Sequence, residues 1–207
     1  MPRLSAASAA EHRAAVRERI FAALRRLSVS HGLERISFAD LAAEAGISRS
    51  VVYNYFPDKQ SLLVAYTERE IARFLDGFAS VRAQATTATE RVARYVRLQL
   101  EDYRAHPQPA GPELAPLLGP EAHRRLQAHI EPLNRALTDI IAEGVERGEF
   151  SCEDPAMAAA LVHGCLGAER IPLARRAHDL EDAVARVTAF VLGGLGAGTA
   201  TEPRRSP

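Results

Sequence analysis

The stretch Ile36–Tyr66, ISFADLAAEAGISRSVVYNYFPDKQSLLVAY, decides the fold. Ser37 precedes an apolar run and has Asp40 three residues on, the capping-box arrangement that starts a helix. Leu41, Ala42 and Ala45 follow at helical spacing, and Gly46 supplies the left-handed residue that ends it. Ser48 caps a second helix whose inward positions are Val52 and Phe56. That helix stops at Pro57, which has no N–H to donate and whose ring clashes with the preceding turn. Asp58 then caps a third helix carrying Leu62, Leu63 and Tyr66. Ala42 is small where two helices cross, Gly46 follows four residues on, and Val52 faces back inward six residues later. Those offsets fit a helix-turn-helix whose second helix is free to enter a major groove. They fit an ordinary helical hairpin as well. What separates the two is the outer face of the second helix: Arg49, Ser50, Tyr53, Asn54 and Tyr55 form a mixed donor and aromatic surface, without Glu/Lys pairs.

The run ISRSVVYNYFPDKQSLL resembles the recognition helix and following helix start of TetR-family transcriptional repressors, with their pattern G-[VI]-S-x-x-x-[VL]-Y-x-[YH]-F-x-x-K. The motif lies within residues 36–66, and helix order and length fit the family over about 11–197. The resemblance implies base or phosphate contacts by Arg49, Ser50, Tyr53, Asn54 and Tyr55 beside the cap Ser48, and phosphate contacts by Ser37 and Lys59. Val51 departs from the pattern: many relatives carry Thr there, so one hydroxyl-to-phosphate bond is missing. Lys59 is the only lysine among the 26 basic residues. An ammonium at a helix start suits a phosphate oxygen, because the helix end adds backbone donors and positive partial charge.

Composition bounds the rest. A chain of 207 residues, 47% hydrophobic and 25% charged, is globular and builds one or two domains. Net charge is zero, which excludes a general basic coat. Residues 1–70 hold ten basic and eight acidic side chains, so the remainder holds 16 and 18. DNA binding must therefore rest on local placement and helix ends. Two cysteines make no disulfide framework, the N-terminus lacks the apolar core of a signal peptide, and no apolar run reaches bilayer length. The expectation is a soluble, cytoplasmic protein with no membrane partner.

Along the chain, residues 1–10 read as a flexible arm, and a helix follows over about Glu11–His31 with Val16, Ile20, Ala23, Leu24 and Leu27 on one stripe. This helix closes a helix-turn-helix DNA-binding domain over 11–57. A regulatory and dimerisation domain follows over 58–197, with a disordered tail over 198–207. In it, helices are predicted from Asp58 to about Val81, Thr89 to Ala105, Pro120 to Arg147, Asp154 to Ile171 and Leu180 to Leu195. The Pro- and Gly-rich stretch His106–Pro120 holds at most a short helix around Leu114–Leu118. The small residues Ala160, Gly164 and Ala168 lie four apart, and Val184, Val187 and Val191 form a seam on the last helix. This pair resembles the family's four-helix dimer interface, and it reads equally as an intramolecular hairpin.

Rival chemistries find no support. GGLGAG at Gly193–Gly198 follows a helix and lacks both dinucleotide and P-loop spacing. No histidines are paired at i, i+4, no metal or catalytic constellation is present, and neither a cofactor nor an enzyme is expected. Phe74, Phe78, Tyr95, Gln99, Tyr103, Leu126, Ile130, Asn134 and His163 line a cavity for an apolar small molecule or fill a plain helical core. The resemblance favours the cavity. The sequence thus points to an all-α, homodimeric, ligand-responsive repressor reading a palindromic operator in double-stranded DNA. The alternative is a helical small-molecule or protein-binding module that no longer reads DNA.

Overall fold

The computed structural model describes residues 6–106 and 117–198. These form eight α-helices and a 3₁₀ turn, with no strand among the described residues. The helices are α1 (Ala6–His31), α2 (Phe38–Ala45), α3 (Arg49–Tyr55), α4 (Lys59–Arg82), α5 (Ala88–Ala105), α6 (Pro120–Glu146), α7 (Pro155–Ala174) and α8 (Leu180–Gly194), and the 3₁₀ turn Leu33–Arg35 follows α1. The described residues fall into two compact units: residues 6–67 with 117–124, and residues 68–106 with 125–198.

In the first unit the predicted caps are present. Asp40 N–H donates to Ser37 Oγ at 3.2 Å, and Ser37 N–H donates to Asp40 Oδ2 at 2.9 Å. Gly46 has φ 63 and ψ 40, the left-handed geometry a helix C-terminus needs. Asp58 Oδ1 accepts from Ser61 N–H at 2.7 Å at the start of α4. Ile20 and Leu24 of α1, Leu41 of α2, Val52 of α3 and Leu62 of α4 are wholly buried, each contributing about 1.5–3 kcal/mol. Phe21, absent from the predicted stripe, is buried too and packs its ring 5.7 Å from Phe56 and 5.6 Å from Tyr66.

The second unit is built on α5, which packs against α7 and α8, while α7 and α8 pack against each other. Glu149 accepts from the backbone N–H groups of Ala88 at 3.1 Å and Thr89 at 2.9 Å, so a residue beyond the end of α6 caps the start of α5. Gly144 of α6 leaves no room for a side chain: a Cβ there would run into the Phe150 ring and fall 2.9 Å from Ala88 Cβ.

Three expectations need correcting. The arm read over 1–10 loses Ala6–Ala10 to α1, because alanine is the strongest helix former and the helix propagates back through AASAA. The helix expected to end at Ile171 continues to Ala174 through Pro172. A proline in the last turn costs only one intrahelical hydrogen bond, and the Arg175 N–H closes the end on the Ile171 and Leu173 carbonyls. Val184, Val187 and Val191, assigned to a dimer seam, are 7%, 7% and 3% exposed and belong to the chain's own core. Residues 1–5, most of the stretch around Leu114–Leu118 and residues 199–207 of the predicted tail lie outside the described residues.

Candidate nucleic-acid interface

Only Val52 of α3 is fully buried, while Arg49, Ser50, Tyr53 and Asn54 are exposed and Tyr55 is half-buried. The face is pre-ordered from within. The Arg49 guanidinium donates to Tyr53 Oη at 3.2 Å and lies 5.4 Å from that ring's centre. Tyr53, 45% exposed, is braced from behind by Phe38 of α2 with ring centres 4.9 Å apart. Ser48 Oγ accepts from Val51 N–H at 3.4 Å and lies 2.8 Å from Ser50 Oγ. The result is a short helix with a guanidinium, a phenol, hydroxyls and an amide turned outward on one rigid surface, the groups that meet base edges and phosphates.

The turn before α3 is held by a residue that no local pattern singles out. Arg19 of α1 donates through Nε to the Ala45 carbonyl at 3.1 Å and through Nη2 to the Ala45 and Gly46 carbonyls at 2.7 and 2.8 Å. It thereby satisfies orphan carbonyls at the end of α2 and fixes the angle between α2 and α3. Its partners lie 26 and 27 residues away, beyond the reach of any helix-local pattern.

Two expected phosphate ligands have prior commitments. The Ser37 hydroxyl donates to Asp40 Oδ2 at 2.7 Å, and that bond, with the one from the Ser37 N–H, holds the Asp40 carboxyl below its usual range. The Lys59 ammonium donates to the Leu33 carbonyl and, at 3.1 Å, to the Glu34 carbonyl. Desolvation there lowers its pKa, against the opposing pull of the Glu34 charge. Lys59 therefore ties the start of α4 to the 3₁₀ turn, leaving one of its three N–H groups for a phosphate.

In the second unit, Phe74, Phe78, Tyr95 and Tyr103 come together in the buried core. Phe74 and Phe78 meet Tyr95 edge-on at 5.4 and 5.0 Å. Tyr95 Oη lies 2.7 Å from His163 Nε2. Burial, reinforced by the charge of Arg170, pulls the His163 pKa down to about 4, and burial raises that of Tyr95. Gln99 is buried on the same helix. Leu126 is buried outside this cluster, and Ile130 and Asn134 are half-buried. A cleft of about 520 Å³ takes only Phe78 from the predicted set, alongside Leu75, Arg82, Arg91 and Ala136. The predicted lining therefore divides between a packed aromatic core and its flanks. No group of three or more potential metal ligands occurs among the described residues.

A helix-turn-helix head with an ordered polar second helix, joined to a separate helical unit, is the architecture of a helix-turn-helix regulator. Comparison with known proteins agrees. Residues 20–66 match the bacterial regulatory proteins of the tetR family, and residues 88–191 match the tetracyclin repressor-like C-terminal domain. The chain belongs to the tetR family of bacterial regulatory proteins. It is 32% identical over 92 residues to the HTH-type transcriptional regulator EthR of Mycolicibacterium smegmatis, a match covering 44% of this chain and 42% of that relative. The chain therefore spans less than half the length of that relative. The fold is shared with the fatty acid degradation regulator FadR of Bacillus halodurans, at 22% identity and a TM-score of 0.74 over 88% of this chain and 97% of that one. It is shared too with FadR of Bacillus subtilis, solved with stearoyl-CoA, at 17% identity and a TM-score of 0.72 over 86% and 98%.

Proposed function

We propose that this protein is a cytoplasmic, ligand-responsive transcriptional repressor, not an enzyme, which binds a palindromic operator as a homodimer through α3. The observation that carries the reading is the outward face of α3, where Arg49, Ser50, Tyr53 and Asn54 are exposed on a helix fixed by Arg19 and Phe38. A two-fold dimer puts a copy of α3 into each of two major-groove faces about 34–36 Å apart. Phosphate contacts come from the α3 hydroxyls and the remaining donor of Lys59.

The dimer surface is the face that one chain leaves uncovered. Ala160, Gly164 and Ala168 are exposed on α7, in line with Met157, Leu161 and Ile171 at 58%, 65% and 45% exposure, and Phe190 of α8 is 70% exposed. A continuous apolar strip of this kind with small residues at its centre suits close, self-complementary helix packing. The effector reading rests on the aromatic core of the second unit, and a FadR of the same fold was solved with stearoyl-CoA. α4 runs unbroken from Lys59 to Arg82 and belongs to both units. A ligand that prefers one α4 position lowers operator affinity by its differential affinity for that state and by no more.

The test is to mix purified protein with fragmented source-genome DNA, recover what binds and sequence it. Enrichment of a palindromic motif at a few promoters is the expected result. No enrichment by a folded, dimeric protein overturns the reading in favour of a binding module that no longer reads DNA.

A further inference from the structure

The cleft of about 520 Å³ lies wholly within the second unit and is lined by the last turns of α4, the start of α5 and Ala136 of α6. Leu75, Phe78, Ala79, Arg82 and Ala83 fall at offsets of three, four, seven and eight, so they share one face of α4. Phe78 and Ala85 are buried and make the floor, Leu75 and Ala136 are half-buried, and Ala79 and Ala83 are exposed at the rim. Four of the eight lining residues are alanine, which presents apolar surface without filling the space above it. The polar lining is two guanidiniums and no carboxylate. Arg91 is neutralised by Glu143 and donates through Nε to the Ala85 carbonyl at 3.4 Å. Arg82 is exposed and has no ion pair among the described residues. The carbonyl end of α4 lends roughly half a negative charge nearby, so one unneutralised guanidinium leaves the cleft net positive. The only ring in the lining, Phe78, already meets Tyr95 edge-to-face at 5.0 Å, so the walls offer methyl and isobutyl groups instead of an aromatic surface. An aliphatic trough with a cation at its rim matches a molecule with a flexible apolar body and one anionic end.

We propose that this cleft binds an aliphatic monocarboxylate, its chain along Leu75, Ala79, Ala83 and Ala136 over Phe78 and its carboxylate on Arg82. To call this ligand the effector rests on the regulator reading above; the binding does not. A guanidinium takes a carboxylate through two parallel N–H groups, in a charge-assisted contact that an alcohol or an amine does not reproduce. Arg91 stays with Glu143, so the cleft accommodates one anionic group and not two.

The probes are hexanoate, octanoate and decanoate, with 1-octanol and octylamine as controls. Binding is read by calorimetry and by the shift in melting temperature of the full chain. Decanoate is expected to bind one per chain and raise the melting temperature, with affinity along the series rising about two- to fourfold per methylene. Octanol is expected to bind at least tenfold more weakly than octanoate, and octylamine not at all. Arg82→Gln, at an exposed position, is expected to retain the fold and to bind the acids at least tenfold more weakly, while Arg82→Lys keeps most of the affinity. Ala79→Trp fills the cleft from its exposed rim and is expected to lose binding of all three acids. Should Ala79→Trp fail to fold, Arg82→Gln carries the test alone. Equal affinity for octanol or octylamine, undiminished binding by folded Ala79→Trp or by Arg82→Gln, or no binding of any acid at millimolar concentration overturns the proposal. Recovery of genomic DNA separates the two failures. An operator without acid binding sinks this site alone, and acid binding without an operator sinks the regulator reading alone.

Discussion

Lys59 shows how much a single residue's role depends on its partners. From the sequence it is a lone ammonium at a helix start; in the structure it joins that helix to the Leu33 and Glu34 carbonyls. Lys59→Met is therefore expected to lower unfolding free energy by about 1–3 kcal/mol in denaturant titrations, as carbonyls lose a charged donor. An unchanged midpoint would return Lys59 to a purely DNA-facing role. His163 carries the pH dependence. Its folded pKa, about 4, lies below the 6.5 of the exposed group, so the unfolded chain binds the extra proton between those values. Stability is thus expected to fall as pH drops from 6.5 towards 4, by up to about 3 kcal/mol from this group. His163→Gln should flatten that part of the curve relative to the wild type; parallel curves would show that His163 is not held neutral. Both roles escape the sequence for one reason: their partners are 25 residues or more away in the chain.

Among elements, those with local punctuation were legible. Ser37, Gly46, Ser48, Pro57 and Asp58 placed α2, α3 and the start of α4, because caps and breakers act within a few residues. The start of α1 and the end of α7 were misplaced, since an alanine run carries a helix beyond its apolar stripe and a proline in the last turn need not end one. The seam of α8 was legible as apolar, but periodicity does not say whether its own core or a second copy covers it. Close helix approach is likewise written in one glycine. Gly144→Ala is expected to destabilise the second unit by about 1–3 kcal/mol through the collision with Phe150 and Ala88, and Gly144→Ala with Phe150→Leu to recover part of that loss. Additive effects in the thermal unfolding of the double variant would deny the contact.

At the level of the whole molecule, the uncovered apolar strip on α7 and α8 is expected to set the oligomeric state. Leu161→Glu and Phe190→Glu place charges at positions 65% and 70% exposed in one chain, so neither should disturb the monomer fold. Sedimentation should show a dimer for the wild type and a monomer for the double variant, with helix content retained. A dimer that survives both changes would put the interface elsewhere. A monomeric variant should also lose operator affinity steeply, because two half-sites are then read independently.

Methylation interference on the recovered operator tests most directly whether α3 reads the major groove. Methyl groups at guanine N7 block a major-groove guanidinium contact, so the expected result is strong interference at one guanine per half-site, with half-sites about 34–36 Å apart. In Arg49→Ala that signal should vanish while binding weakens by about 1–3 kcal/mol. Interference confined to minor-groove adenines, or an unchanged guanine pattern in Arg49→Ala, would contradict the assignment of α3 as the reading helix.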